Sequence, residues 1–198
     1  MNHLLALSHL VNRYFAMRHG QSLANLEQVI VSDPRNGVGD YGLTEQGVMQ
    51  VRESIRSEPR LNSNLLIVSS DFRRARESAE IAHEMLGCIQ PVRFDERLRE
   101  RNFGEWELTP DSAYPLVWAK DEINPDNVDK EVESPNQVMQ RVSALVFDYE
   151  AEYSATTILM VSHGDALQIL QTAFCKQDAS NHRRQQHLQT AEIRRLMI

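Results

Sequence analysis

Short apolar runs alternate along this chain with longer stretches in which apolar residues recur at helical spacing. Arg13–Met17 (RYFAM), Leu65–Ser69 (LLIVS) and Thr157–Ser162 (TILMVS) are short and largely apolar, the mark of strands buried on both faces. A last, more polar strand is expected within Leu188–Met197. Thr44 can N-cap a helix running to about Ser57, with Val48, Val51 and Ile55 on one face. Phe72–Leu86 repeats Ala75, Ala79, Ala82 and Leu86 and ends at Gly87. Ser134-Pro135 opens a helix whose stripe is Val138, Val142, Leu145, Val146 and Tyr149, and Gly164–Phe174 forms another straight after the third strand.

This alternation predicts an α/β fold: a mostly parallel sheet covered by helices on both faces, with chemistry beyond the carboxyl ends of its strands. It breaks over residues 107–133, where Pro110, Pro115 and Pro125 stand among acids and the aromatics Tyr114 and Trp118. That stretch is expected to be a lid-like excursion with room for a short helix. The 198 residues fit a single domain with a full core.

Composition narrows the function classes. A net charge of −7 argues against nucleic-acid binding, which needs a surplus of Lys and Arg. It does not exclude a small anionic substrate held by a local cluster of Arg. Cys88 and Cys175 lie in no metal-binding spacing and read as free thiols. No apolar run approaches membrane-span length, and Met1–Val11 lacks the features of a signal peptide. The expectation is a cytoplasmic enzyme without metal, cofactor, nucleic-acid partner or membrane association.

The candidate chemistry sits at the strand ends. Arg18-His19-Gly20 follows the first strand, Ser162-His163-Gly164 the third, and Ser69-Ser70-Asp71-Phe72-Arg73-Arg74 the second. Two His and at least two Arg thus meet at one sheet edge. A phosphoryl group in transfer spreads negative charge over three oxygens, and guanidinium groups match such oxygens in pairs. A neutral imidazole can attack phosphorus, and flanking Arg charges would keep His19 unprotonated. A carboxylate is also needed, to protonate the leaving alcohol and then to activate water. Glu100 is the candidate, with Glu105 and Glu107 close enough in sequence to replace it. Either His-Gly pair alone would be weak, since lone His residues are more often structural or exposed; His3, His9, His83, His182 and His187 are read that way and given no role. Arg183-Arg184 and Arg194-Arg195 read as surface charge.

Taken in order, the motifs resemble the histidine phosphatase (phosphoglycerate mutase-like) superfamily. Arg18-His19-Gly20-Gln21-Ser22 with Asn25, Leu43-Thr44 with Gly47, Ser69-Ser70 with Arg74-Ala75, Leu98 and Glu100 with Phe103-Gly104 and Trp106-Glu107, and Val161–Gly164 follow its succession of motifs over residues 13–170. The resemblance implies a three-layer α/β/α sandwich and metal-independent chemistry. It implies His19 as nucleophile, Arg18, Arg74 and His163 as the grip on the phosphoryl group, and Glu100 as proton donor and then base. Asn25 would assist, and Ser22, Thr44, Gly164 and Arg101 complete the candidate substrate-binding set. Leu108 departs from the pattern, since the family often has Gly there, so a different local turn is expected.

Three functions stay open at this point: a phosphatase, a mutase that returns the group to another hydroxyl, and a silent phosphate-binding domain. The 63 positions from Glu100 to His163 favour the phosphatase, because the mutases resembled carry a much longer insertion there. Residues 109–133 hold seven acids against Lys120 and Lys130, which would repel a polyanionic substrate. Glu100-Arg101-Asn102-Phe103-Gly104 cuts the other way by resembling the mutases' Glu-Arg-x-Tyr-Gly. In that reading Arg101 binds a second anionic group, and otherwise it lies exposed. The substrate expected is a small phosphorylated molecule.

Overall fold

The three apolar runs form the centre of a five-stranded sheet in a computed structural model that describes residues 1–198. In chain order the elements are β1 (Arg13–Arg18), α1 (Leu23–Glu27), α2 (Pro34–Gly37), α3 (Glu45–Arg56), β2 (Leu66–Ser69) and α4 (Arg73–Leu86). Then follow β3 (Arg93–Phe94), α5 (Tyr114–Ile123), α6 (Pro135–Glu152), β4 (Thr157–Ser162), α7 (Gly164–Phe174) and β5 (Ile193–Leu196). The strand order is β3-β2-β4-β1-β5. All neighbours are parallel except β5, which runs antiparallel to β1.

Side-chain alternation sorts the two faces. Tyr14 and Ala16 of β1, with Ile158 and Met160 of β4, pack on Val138, Val142 and Leu145 of α6 and Leu167 and Leu170 of α7. Phe15, Met17, Leu159 and Val161 point the other way, onto Val51 and Ile55 of α3 and Ala75, Ala79 and Ala82 of α4. Every residue of α7 is buried. The result is the expected α/β/α sandwich, with each large apolar side chain removed from water contributing roughly 1.5–3 kcal/mol.

The helix boundaries follow from local chemistry. Thr44 caps α3 by accepting from the Gly47 amide. Gly87 closes α4 at φ 59°. Ser134 and Gln137 form a capping box at α6, with Pro135 in its first turn. No helix is long and apolar enough to cross a membrane.

Two features differ from the sequence reading. Strand β3 is a two-residue, exposed edge, too short and too polar to leave a pattern. The turn at Leu108 keeps a glycine-like shape, since Leu108 itself adopts φ 59°. The excursion contains α5 and packs through its own small cluster of Ile30, Phe103, Ala113, Val117 and Val132. The Leu108 amide donates to the Ile30 carbonyl at 2.8 Å, and this bond holds the residue in a conformation that costs a side-chain-bearing residue about 1–2 kcal/mol. Leu108→Gly should therefore raise unfolding free energy, by up to about 1 kcal/mol after the added chain entropy is subtracted. Chemical denaturation measures this, and a loss of stability would show that the turn is not strained.

Candidate active site

Parallel pairing of β1 with β4 aligns Arg18 with Ser162, so His19 and His163 emerge side by side. The His19 amide donates to the Ser162 carbonyl at 3.0 Å, and the two imidazole centroids lie 5.2 Å apart. Both rings are buried.

His19 Nδ1 lies 2.7 Å from the Gly20 carbonyl. A carbonyl only accepts, so Nδ1 carries the proton and Nε2 presents its lone pair. Arg74 Nε donates to that Nε2 at 3.1 Å. Burial first, then the Arg74 and Arg18 charges, hold the His19 pKa well below 6.5, so the ring is neutral at ordinary pH. Both glycines allow this close approach: a Cβ on Gly20 would fall 2.4 Å from the Gly47 carbonyl oxygen, and a Cβ on Gly47 would fall 2.1 Å from the Gln21 carbonyl oxygen. The Arg-His-Gly and Leu-Thr-x-x-Gly motifs are thus two sides of one contact.

Arg74 is buried, and Nη2 donates to the Val31 carbonyl at 2.9 Å. His163 Nε2 lies 2.9 Å from Ser70 Oγ, which accepts from the Phe72 amide. A Ser70 hydroxyl that donates to Nε2 leaves the proton of His163 on Nδ1. Around His19, three buried nitrogens have no hydrogen-bond partner: Arg18 Nε, Arg74 Nη1 and His163 Nδ1. Such orphaned donors are rare in a folded interior and cost free energy. Here they flank a neutral imidazole, which is the arrangement an anion would satisfy.

Glu100 completes the group. Its Oε1 accepts from the Arg101 amide at 2.9 Å and from the Ala166 amide, in the first turn of α7, at 3.1 Å. Burial and the Asp165 charge raise its pKa above the usual carboxylate value, against an opposing pull from Arg74. Its loop is held from several sides. Arg141 of α6 donates to the carbonyls of Arg97, Arg99 and Glu100. Ser162 Oγ donates to the Leu98 carbonyl, and Arg99 pairs with both oxygens of Asp71. The other two candidate acids are placed elsewhere: Glu105 is exposed, and Glu107 accepts from Ser32 and Asn36.

The candidate substrate-binding set divides. Ser22 is fully buried and caps α1 together with Asn25, whose Oδ1 accepts from the Ser22 amide and hydroxyl. Thr44 caps α3 and donates to Gln21. Gly164 is buried, and a Cβ there would meet His187 at 3.1 Å and Arg18 at 3.7 Å. The first free amide of α7 to find a partner, that of Ala166, goes to Glu100. Arg101 corrects the sequence reading most sharply. It is neither exposed nor open to a ligand: Nη1 and Nη2 both pair with Asp121, Nη1 also reaches Asp165, and Nε donates to the Glu133 carbonyl.

Other residues matter that the sequence reading passed over. Asp165 accepts from Trp118 Nε1 at 2.9 Å. Arg183, read as surface charge, stacks over the Trp118 ring and pairs with Asp165. His187, read as structural or exposed, lies 2.7 Å from Arg18 Nη1. Tyr114 stacks on Trp118, and the charged groups around its hydroxyl are Glu100, Asp165, Arg74 and Arg18. The excursion is therefore fastened to the catalytic edge by Trp118 and Asp121 and lends it Tyr114.

With this geometry in hand, the likeness to known proteins is specific. The profile of the histidine phosphatase superfamily (branch 1) matches residues 14–198. A glucosyl-3-phosphoglycerate phosphatase of Mycolicibacterium vanbaalenii is 32% identical over 174 residues, which is 82% of this chain and 74% of that protein. A protein named probable phosphoglycerate mutase GpmB, from Escherichia coli, is 32% identical over 161 residues, 77% of this chain and 70% of its own. Among solved structures, mycobacterial glucosyl-3-phosphoglycerate phosphatase complexed with VO3 superposes with a TM-score of 0.78 at 26% identity, covering 92% of this chain and 91% of that one. The chain belongs to the histidine phosphatase superfamily, and its activity is of the phosphatase class, with mutase-type transfer as the related alternative.

The Arg101–Asp121 pair makes a stability prediction. Both side chains are 0% exposed, and breaking a buried pair strands the remaining charge at a cost of about 3–5 kcal/mol. Asp121→Ala should lose that much in urea unfolding. A change within experimental error would mean that the pair is not buried in solution.

Proposed function

We propose that this protein hydrolyses small phosphomonoesters in two steps through a phosphohistidine on His19. In the first step His19 Nε2 attacks phosphorus. The phosphoryl oxygens take up the unpartnered donors of Arg18, Arg74 and His163, and Arg74 Nε turns from the imidazole lone pair to the incoming group. Glu100, protonated, gives its proton to the departing alcohol oxygen. In the second step the ionised Glu100 takes a proton from water, the water oxygen bonds phosphorus, and the N–P bond breaks to release inorganic phosphate. The observation that carries this reading is the trio of buried donors without partners beside a neutral His19 of defined tautomer.

Hydrolysis is favoured over return of the group to a second hydroxyl. The feature that pointed to a mutase, Arg101, has its guanidinium spent on Asp121. We read the leaving group as polar and rich in hydroxyls. A cleft of about 350 Å³ beside Glu100 is lined mostly by polar and charged residues, among them Ser32, Asn102, Arg97, Arg99 and Arg141. Its arginines are matched by Asp95 and Asp148, by Asp71, and by Glu133, so it holds no surplus charge for a second phosphate. A sugar phosphate fits this chemistry better than an aryl phosphate or a bisphosphate. The proposal needs no metal or other cofactor and no nucleic-acid or membrane partner. We place the enzyme in the cytoplasm as a single-domain protein, a reading supported by its two free thiols.

Rapid-quench reaction with a labelled sugar phosphate should trap an acid-labile phosphoenzyme in the wild type and none in His19→Ala, whose turnover should fall by roughly 10⁴-fold or more. Label retained by His19→Ala would overturn the intermediate. The pH profile supplies a separate check. Activity needs neutral His19, whose pKa lies well below 6.5, and protonated Glu100, whose pKa is raised above 4.5. Turnover should rise at low pH as His19 loses its proton and fall at higher pH as Glu100 loses its own. Glu100→Gln should abolish the falling limb and cut kcat by about 10²–10⁴-fold. A falling limb that survives in this variant would assign the acid to another group.

A further inference from the structure

Arg18 must present its guanidinium to the phosphoryl pocket, yet it stands on the last residue of β1 and has no acidic partner to orient it. The segment between α7 and β5 does so instead. Arg18 Nη1 donates to His187 Nε2 at 2.7 Å and to the Leu188 carbonyl at 3.0 Å. Both hydrogens of Nη1 are then spent, and the plane of the guanidinium is fixed. What remains is the edge formed by Nε and Nη2, of which Nε is buried without a partner. That edge carries two parallel N–H donors and matches two phosphoryl oxygens. The same segment also ties the backbone: Ala191 donates to the His19 carbonyl, and Arg18 donates to the Glu192 carbonyl.

His187 can accept from Arg18 only as a neutral ring with its proton on Nδ1. Gln168 of α7 sets that tautomer, its Oε1 lying 3.3 Å from Nδ1. Gln168 Oε1 is itself clasped by Arg183. Burial, then the Arg18 and Arg183 charges, push the His187 pKa down to about 4. Gly164 makes room for the contact, since a Cβ there would crowd the His187 ring at 3.1 Å. The glycine of the Ser-His-Gly motif therefore serves the seat of Arg18.

We propose that His187 is a positioning residue for phosphoryl binding: it acts through Arg18, turning the Nε–Nη2 edge of the guanidinium toward the phosphoryl group. This rests on the reading of the pocket as a phosphoryl site, so the test measures binding as well as turnover.

Calorimetric titration with inorganic phosphate and steady-state kinetics with one phosphomonoester give the two readouts. His187→Ala should weaken phosphate binding and raise KM by about tenfold, the low end of what removing an orienting partner costs, with a smaller change in kcat. His187→Gln places an amide oxygen where Nε2 stood and should recover most of the loss. In an Arg18→Ala background, His187→Ala should add no further loss, because a residue that acts through Arg18 has nothing left to act on. An additive loss in the double variant, or unchanged phosphate affinity in His187→Ala, would overturn the proposal. Wild-type protein that binds no phosphate would overturn the pocket reading and this proposal with it.

Discussion

The hydrogen bond from His19 Nδ1 to the Gly20 carbonyl is the constraint on which the rest of the site depends. It decides which nitrogen of His19 is free. An imidazole whose proton could sit on either nitrogen would spend part of its time with the wrong one exposed. The backbone carbonyl removes that choice by offering only an acceptor. The bond in turn needs Gly20 where it is, and Gly20 fits there because it has no Cβ to strike the Gly47 carbonyl oxygen, while Gly47 in turn leaves room for the Gln21 carbonyl. The cap of α3 at Thr44, the packing of α3 on α4 and the nucleophile's tautomer are thus one structural arrangement.

Burial is the second constraint, and it acts in opposite directions on the groups it touches. It keeps His19 and His163 neutral and pushes Glu100 toward its protonated form. Those are the states that the proposed roles of nucleophile, hydrogen-bond donor and acid require. The same burial would be costly for the arginines if they stood alone. Arg101 is stabilised by Asp121 and Asp165, whereas Arg18 and Arg74 keep donors unspent. Free energy left unsatisfied in the resting protein becomes attraction for an anion. Asp165 joins the two halves of this design: it raises the Glu100 pKa and also anchors Trp118, so the excursion that carries Tyr114 is fastened to the acid it surrounds.

Much of this was legible in the sequence because local rules control it. The apolar runs before His19, Ser70 and His163 are long enough to mark buried strands, and parallel pairing then fixes where those residues emerge. Thr44, Ser134 and Gly87 announce helix ends by their own chemistry. What escaped prediction depends on contacts between distant segments. Arg101 looks like a surface or ligand-binding residue until α5 brings Asp121 against it. His187 is a lone histidine in a polar stretch, and only the return of the chain toward β5 sets it on Arg18. Arg141 sits on a predicted helix, but nothing local indicates that it holds three carbonyls of the acid-bearing loop. Leu108 shows the converse: the departure from glycine is plain in the sequence, yet the chain, tied there to the Ile30 carbonyl, takes the positive φ all the same.

With its Nδ1 proton held by the Gly20 carbonyl, His19 can attack only through Nε2. Locating the phosphoryl group on the trapped phosphoenzyme by phosphorus–nitrogen correlation NMR tests it most directly. The expected result is a phosphoryl group bonded to Nε2 of His19. A bond to Nδ1 of His19, or to any other residue, would contradict it.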